Sequence, residues 1–293
     1  MDEDIKEKYI EAGRITKQAR EKAREMAEQG VKLEAIAEEA EQQIREEGAN
    51  PAFPVNLSLN EEAAHYTPEK DDDRELSEGD VLKIDIGAQV DGYIGDTAVT
   101  VDLGANDELV DASAAALDAA LETAEPGVEA GEIGRVIQET IEDRGFKPIR
   151  NLGGHGLEQY TQHSGDRIPN VATGSSLQLE PGNAYAIEPF ATDGDGKVRD
   201  GAPGNIYKYE GGNIRDRTAR KVLNQVKNEY RTLPFTSRWF DVSPARLKIA
   251  IRNLVQQNVF KEYDVLRERD DALVSQKEHT ILVLEDEVVV TTR

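Results

Sequence analysis

The chain has 293 residues, no cysteine and a formal net charge of −23, from 35 basic and 58 acidic residues. This length supplies enough core for one large domain or two smaller ones. The negative charge argues against a general nucleic-acid or membrane-surface binder, because both partners would repel it. Without cysteine there is no disulfide framework and no thiolate metal site, so any metal must bind to carboxylates and imidazoles.

The N-terminal segment, residues 1–10, is charged and lacks the apolar stretch of a signal peptide. No apolar run in the chain approaches the roughly 20 residues that a membrane-spanning helix needs. We therefore expect a soluble protein that acts in the cytoplasm and has no membrane partner.

The predicted elements mix helices with short strands. A helical stretch covers residues 4–47, with breaks or ends at Gly30 and Gly48. The later elements are predicted strands at 52–59, 81–88 and 93–103, helices at 107–125 and 131–144, and strands at 183–190 and 280–290. This order favours an α+β fold, a sheet flanked by helices, over a doubly wound parallel sheet.

Residues 214–269 form a different block, predicted to be mostly helical and interrupted by Pro234 and Pro244. Between residues 214 and 252 it has ten Lys or Arg and three Asp or Glu, a net of 10 − 3 = +7. The block separates two strand-rich parts of the chain. We therefore predict that it is an inserted subdomain, with residues 1–213 and 270–293 forming the main domain.

Two aspartates lie on a predicted β-hairpin that turns near Asp91-Gly92. In a hairpin with a two-residue loop, opposed positions sum to an odd number. Asp85 and Asp96 satisfy this rule, so both carboxylates project from one face of the sheet. Two facing like charges are unfavourable unless a cation lies between them or one is protonated. The alternative is a pair of solvated aspartates on an exposed face.

Three further motifs carry potential ligands. His155 is flanked by glycines, which let the backbone approach a bound group closely, and His163 follows eight residues later. The alternatives are a flexible turn or a phosphate-binding loop, although the spacing matches neither phosphate-loop pattern. Glu188 and Glu278 lie in or beside apolar strands, where an unpaired buried carboxylate is unfavourable. An edge strand with its glutamate facing water is the alternative for each.

Four carboxylates and one imidazole form an oxygen-rich set that suits a pair of divalent ions and does not suit a structural zinc. The chain has only four histidines, and all lie in these stretches or in the segment around His65.

These residues, in this order, resemble the signature of the methionine aminopeptidases. The motifs that carry the resemblance are Pro51-Ala-Phe-Pro-Val-Asn, Glu62-Ala-Ala-His65-Tyr-Thr-Pro, the Asp85/Asp96 hairpin, Gly154-His155-Gly156, Ile187-Glu188-Pro189 and Glu278-His279-Thr280. The helical insert is similar to that of the type II subclass, found in archaea and eukaryotes. The implied fold is the "pita-bread" architecture, with two related α/β halves around a central antiparallel sheet and a winged-helix-like insert.

The resemblance also implies a chemistry, in which a water activated by two metal ions removes the initiator methionine of a nascent polypeptide. The ions would be cobalt, manganese, iron or zinc, and the protein would be a monomer. The implied ligands are Asp85, Asp96, His155, Glu188 and Glu278. Asp96 and Glu278 would serve both ions, with His155 and Glu188 on one and Asp85 on the other. Glu188 would also move a proton from the water towards the leaving amine.

The resemblance places His65 and His163 at the scissile amide and the developing oxyanion, as catalytic and substrate-binding residues. Phe53 and Tyr263 would form aromatic walls of the methionine pocket; ordinary core packing is the alternative for both. Gln162 departs from the family pattern, in which an apolar residue precedes the histidine. His279 is expected to have a packing or supporting role.

Two other functions are considered. Proline-specific peptidases share the fold but carry a large additional N-terminal domain, and only about 50 residues precede Phe53 here. A metal-free relative that binds the ribosome or RNA would lack ligands, and all five are present. The basic insert nevertheless suggests that the enzyme contacts the ribosome transiently. A helix face paired with acidic neighbours is the alternative.

Overall fold

Capping residues and glycines set the bounds of the first two helices. In the computed structural model, which describes residues 1–293, α1 spans Glu3–Met26 and α2 spans Leu33–Glu46. The Asp2 carboxylate accepts the backbone N–H of Asp4 and so caps α1. Gly30 and Gly48 adopt φ of 83° and 85°, a region that favours glycine. The predicted break and the predicted end of this stretch are therefore confirmed.

The later helices lie close to their predicted positions. They are α3 (Asp107–Thr123), α4 (Ala130–Glu142), α5 (Arg217–Glu229) and α6 (Pro244–Gln256), with a 3-10 turn at Ser237–Trp239. None of the helices combines the length and the apolar character needed to cross a membrane.

The strands pair in antiparallel fashion throughout. In chain order they are β1 (Asn50–Pro51), β2 (Asn56–Leu59), β3 (Glu62–Ala64), β4 (Val81–Val90), β5 (Tyr93–Asp102), β6 (Lys147–Pro148), β7 (Gly153–Leu157), β8 (Arg167–Pro169), β9 (Ala184–Ile187), β10 (Phe190–Thr192), β11 (Arg199–Tyr209), β12 (Phe235–Thr236), β13 (Phe260–Arg267), β14 (Val274–Gln276), β15 (His279–Val283) and β16 (Val288–Val290).

Two comparable halves meet at the centre of the molecule. In the first, β4 pairs with β1, β2 and β5, and α1 and α2 share a core of 19 buried residues with these strands. In the second, β8, β7, β9, β15 and β16 form one sheet, and α3 and α4 share a core of 17 buried residues with it. A bridge between Ala98 and Glu278 connects β5 to the start of β15. The predicted α+β fold, with two halves around antiparallel strands, is confirmed.

The insert has its own core, but one part of its predicted structure was wrong. Thirteen buried residues, including Phe235 and Leu254, pack α5 and α6 against β12 and the start of β13. Residues 260–267 form strand β13 rather than helix. Asn258 ends α6 at a φ of 54°, and the following residues then pair with β11 and β3. Tertiary pairing determines this segment. The subdomain bounds 214 and 269 stay a prediction.

Two predicted strands are shorter or interrupted. Residues 183–190 divide into β9 and β10 at Glu188-Pro189, because proline has no N–H to donate to the sheet. Residues 280–290 form a hairpin of β15 and β16 rather than one strand. The first break has a consequence for the site, since it releases Glu188 from the strand.

Candidate active site

The β4–β5 hairpin brings two aspartates together. Gly87 is opposite Asp96, and Asp85 is opposite Ala98, so the two carboxylates are diagonal neighbours on one face. The turn uses Asp91 and Gly92, with φ of 51° and 88°. The predicted register parity is confirmed.

The second half of the molecule contributes three more side chains. His155 on β7 is opposite Ala186 on β9, Glu188 follows β9, and Glu278 immediately precedes β15. The His155 Nε2 lies 3.9 Å from an Asp96 oxygen and 4.0 Å from a Glu188 oxygen. Ligand atoms of Asp96, His155 and Glu278 all lie within 4.8 Å of one another. The structure therefore brings the predicted ligands together from both halves.

Asp96 and Glu278 of this cluster are buried, Asp85 and Glu188 are half-buried, and none of the four has a lysine or arginine partner. His155 is the one residue that lies within ion-pair distance of Asp96 or Glu188. One oxygen of Asp85 and one of Glu278 are buried without any hydrogen-bond partner. Buried carboxylate oxygens of this kind are very unfavourable unless a cation binds to them or they are protonated. The donor set therefore fits divalent metal ions, which prefer oxygen and imidazole ligands.

Burial shifts the protonation of every member of the cluster. It raises the pKa of Asp85 to about 7. The pKa values of Asp96, Glu188 and Glu278 are also raised well above their ordinary range, first by burial and then by repulsion from neighbouring carboxylates. Burial lowers the pKa of His155 to about 4, so its imidazole is neutral at pH 7, the form that binds a metal.

Two glutamines support the carboxylates, a role that was not predicted from the sequence for either of them. The Gln276 side-chain amide donates to Glu188 Oε2 at 3.3 Å, and that of Gln162 donates to Asp96 Oδ2 at 3.4 Å. Gln276 lies two residues before Glu278, at the end of a strand. Side chains two positions apart on a strand point to the same face, so this spacing could have predicted that Gln276 lies beside the cluster. The Gln162 contact depends on a loop whose path the sequence does not specify.

A cavity of about 590 Å³ opens over the cluster. All nine predicted site residues line it: Phe53, His65, Asp85, Asp96, His155, His163, Glu188, Tyr263 and Glu278. Gln162 also lines it, so its wall is partly polar. Gly87 makes room for one aromatic wall, because a Cβ there would lie 2.3 Å from a ring carbon of Phe53.

Two further histidines, His65 and His163, line this cavity. The His163 ring lies 4.2 Å, centroid to centroid, from that of His155, and the His65 ring lies 5.3 Å from that of Tyr263. His65 adopts a φ of 69°, an uncommon backbone conformation, and its Nδ1 lies 3.2 Å from the Asp264 carbonyl oxygen. Burial lowers the pKa of His65 to about 4 and that of His163 well below its usual value, so both are neutral at pH 7.

His279 lies outside the cavity. Its Nδ1 is 2.9 Å from the Thr292 hydroxyl and 3.4 Å from that of Thr97. Thr97 also donates to the Glu278 backbone carbonyl at 2.7 Å. These contacts agree with the expected packing role.

Comparison with known proteins identifies relatives along the whole chain. Residues 7–291 match the model of metallopeptidase family M24. A methionine aminopeptidase of Archaeoglobus fulgidus is 48% identical over 294 residues, which cover 100% of both chains.

Solved structures agree in fold. A thermophilic Arx1 superposes with a TM-score of 0.86 at 20% identity, covering 99% of this chain and 91% of that chain. A methionine aminopeptidase of Thermotoga maritima gives 0.72 at 24% identity, covering 100% and 98%. At these identities the two structures show the shared fold alone. The family model and the archaeal relative together show that this chain belongs to metallopeptidase family M24 and, within it, to the methionine aminopeptidases.

Proposed function

We propose that this protein hydrolyses the first peptide bond of newly made polypeptides and releases their initiator methionine. One observation supports this most strongly. A buried carboxylate cluster, with orphaned oxygens and no basic partner, opens into the same cavity as two neutral histidines and two aromatic walls. We further propose that the enzyme is a type II methionine aminopeptidase that acts in the cytoplasm as a monomer.

We assign two divalent ions, cobalt, manganese, iron or zinc, to this cluster. Asp96 and Glu278 would hold both ions, His155 and Glu188 one of them, and Asp85 the other. When bound, such ions polarise the scissile carbonyl and lower the pKa of the attacking water. They would also offset the mutual repulsion of the buried carboxylates.

The chain's own side chains have separate tasks in this proposal. Glu188 accepts a proton from the attacking water and passes it to the leaving amine. Its place in the cavity beside the other proposed ligands, 4.0 Å from the His155 Nε2, supports such a role. His65 and His163 are neutral: the His65 Nδ1–H donates to the Asp264 carbonyl, so its Nε2 accepts from the scissile amide N–H, while His163 presents an N–H donor to the developing oxyanion. Phe53 and Tyr263 enclose the methionine side chain, beside the amide of Gln162.

Release of free methionine from the peptide Met-Ala-Ser tests this function. Metal-stripped protein is assayed alone and with added cobalt or manganese, beside an Asp96→Ala variant checked for folding by circular dichroism. We expect release only with metal, and its loss in the variant. Folded wild-type protein that releases no methionine with any metal would contradict the proposal and favour the non-catalytic binder.

A contact between the insert and the ribosome is a second proposal. Eight basic residues on and beside α5 and α6 are exposed, and Arg238, whose side chain is buried, is the one basic residue of 214–252 in an ion pair. The eight are Arg215, Arg217, Arg220, Lys221, Arg231, Arg246, Lys248 and Arg252. This argues against the alternative of a helix face paired with acidic neighbours. A free cationic surface in a chain of −23 would bind the phosphate backbone of ribosomal RNA.

Charge reversal of Arg215, Arg217, Arg220 and Lys221 tests this contact. Co-sedimentation with ribosomes should weaken, while hydrolysis of Met-Ala-Ser stays at the wild-type rate. A control variant reverses three exposed cations elsewhere: Lys70, Arg144 and Lys197. Equal co-sedimentation of both variants and the wild type would contradict the proposal.

A further inference from the structure

A buried ion pair links the insert to the first half of the molecule. Arg238, in the turn between α5 and α6, donates through Nη1 and Nη2 to the two oxygens of Glu41 on α2, at 2.7 and 3.0 Å. The two side chains are 3% and 2% exposed. The Trp239 indole N–H donates to the same carboxylate at 2.6 Å. A two-point pair of this kind fixes the orientation of both groups, as well as the distance between them.

The same two side chains also bond to the segments that carry Phe53 and His65. Glu41 accepts the backbone N–H of Val55, two residues after Phe53, at 3.3 Å. Arg238 donates to the Thr67 hydroxyl and the Pro68 carbonyl, two and three residues after His65, both at 3.3 Å. The Thr67 hydroxyl completes a closed network of hydrogen bonds between the two segments, because it donates to the Val55 carbonyl at 2.7 Å.

The backbone at His65 needs such support. Its φ of 69° is disfavoured for a residue with a side chain, and it persists only where surrounding contacts determine it. Gly204 on β11 permits the close approach of strand and loop, since a Cβ there would lie 2.0 Å from the His65 carbonyl oxygen. Apolar side chains of similar volume would fill the space of a buried ion pair at little cost in stability. They would not reproduce its directed bonds to two loops.

We propose that Glu41, Arg238 and Thr67 are positioning residues that fix the positions of Phe53 and His65 relative to each other across the substrate cavity. The insert then has a second task besides any contact with a partner, because it supplies the guanidinium that joins the two loops. This inference rests on the roles proposed above for Phe53 and His65. It predicts that loosening the network impairs turnover more than folding or metal binding.

Thr67 allows the sharpest test, since its hydroxyl can be removed without a change of volume. Thr67→Val should lower kcat/KM for Met-Ala-Ser about tenfold, because small displacements of a catalytic group reduce rates strongly. The loss should appear mainly in kcat, with cobalt affinity by calorimetry unchanged, and Thr67→Ser should restore it. Thr192→Val is the matched control, because Thr192 is equally buried and donates to a backbone carbonyl outside the network.

The double variant Glu41→Leu with Arg238→Met separates positioning from stability. We expect its thermal midpoint to stay near the wild-type value while kcat/KM remains about tenfold low. A wild-type kcat in both Thr67→Val and the double variant would overturn this inference and leave the proposed function intact. An equal loss in Thr192→Val would also overturn it, since the effect would then be one of general stability. A wild-type chain inactive with every metal would overturn the proposed function, and this inference with it.

Discussion

The molecule concentrates unpaired charge in two regions, and the regions differ in burial and in sign. In the core, four carboxylates face one another without a lysine or arginine partner. On the insert, eight exposed cations on and beside α5 and α6 have no carboxylate partner. Because a buried charge loses its hydration and an exposed one keeps it, the first region is unfavourable without a bound cation, and the second is stable without any partner. Burial, more than the amount of charge, indicates where a ligand is required.

The largest expected effect is the loss of one charged oxygen from the core cluster. Glu188→Gln keeps the shape of the side chain but removes its capacity to carry a proton. We expect turnover of Met-Ala-Ser at saturating metal to fall by about 10²–10⁴-fold. Glu180→Gln is the control, because Glu180 is exposed and lies just ahead of the same strand. Turnover within twofold of the wild type would exclude a proton-transfer role for Glu188.

The next largest effect is expected on the pH dependence of metal binding by the core cluster. The pKa of Asp85 is raised from 3.8 to about 7 in the metal-free protein, so this carboxyl holds a proton that a metal must displace. The stabilisation by metal should therefore grow between pH 4 and 7, by about 1.4 kcal/mol per pH unit for each proton displaced. Thermal unfolding with and without cobalt measures this, and Asp85→Asn should reduce the slope.

Asp85→Asn should also change the free energy of unfolding in opposite directions in the metal-free and the metal-loaded protein. At pH 8 the metal-free variant should be more stable than the wild type by roughly 1–3 kcal/mol, because an ionised buried carboxylate is lost and a neutral buried amide is gained. The metal-loaded variant should be less stable than metal-loaded wild type, since a ligand is missing. Urea unfolding of both forms checks this, and a metal-free variant that is destabilised would contradict the proposed repulsion.

The smallest effect is expected on the insert. Lys221→Ala and Arg246→Ala should each change the free energy of unfolding by less than about 0.5 kcal/mol, because both side chains are exposed and neither forms an ion pair. Urea unfolding measures this change. A loss above 1 kcal/mol would mean that these cations have partners within the fold, and the contrast with the core would weaken.

Part of the candidate site could be predicted from sequence because its residues lie in short motifs with local constraints, whereas the roles of His65, His163, Phe53 and Tyr263 came from the resemblance to the methionine aminopeptidases. The parity of Asp85 and Asp96 follows from a tight turn, and the glycines beside His155 indicate close backbone approach. The strand β13 and the pair of Glu41 with Arg238 were not predicted. Both depend on contacts between distant segments, which local patterns do not encode. The positive φ of His65 has the same origin, since contacts from Gly204 on β11 and Asp264 on β13 help to support it.

The separation of the ligands along the chain has a consequence for folding kinetics. From Asp85 to Glu278 is 278 − 85 = 193 residues, and the bridge between Ala98 and Glu278 joins the two halves. A transition state that forms early contacts within each half would not yet hold the complete ligand set. Metal ions that bind only the completed site therefore stabilise the native state beyond the transition state. They should slow unfolding without accelerating folding. The bound metal therefore increases the kinetic stability of a fold that has already formed.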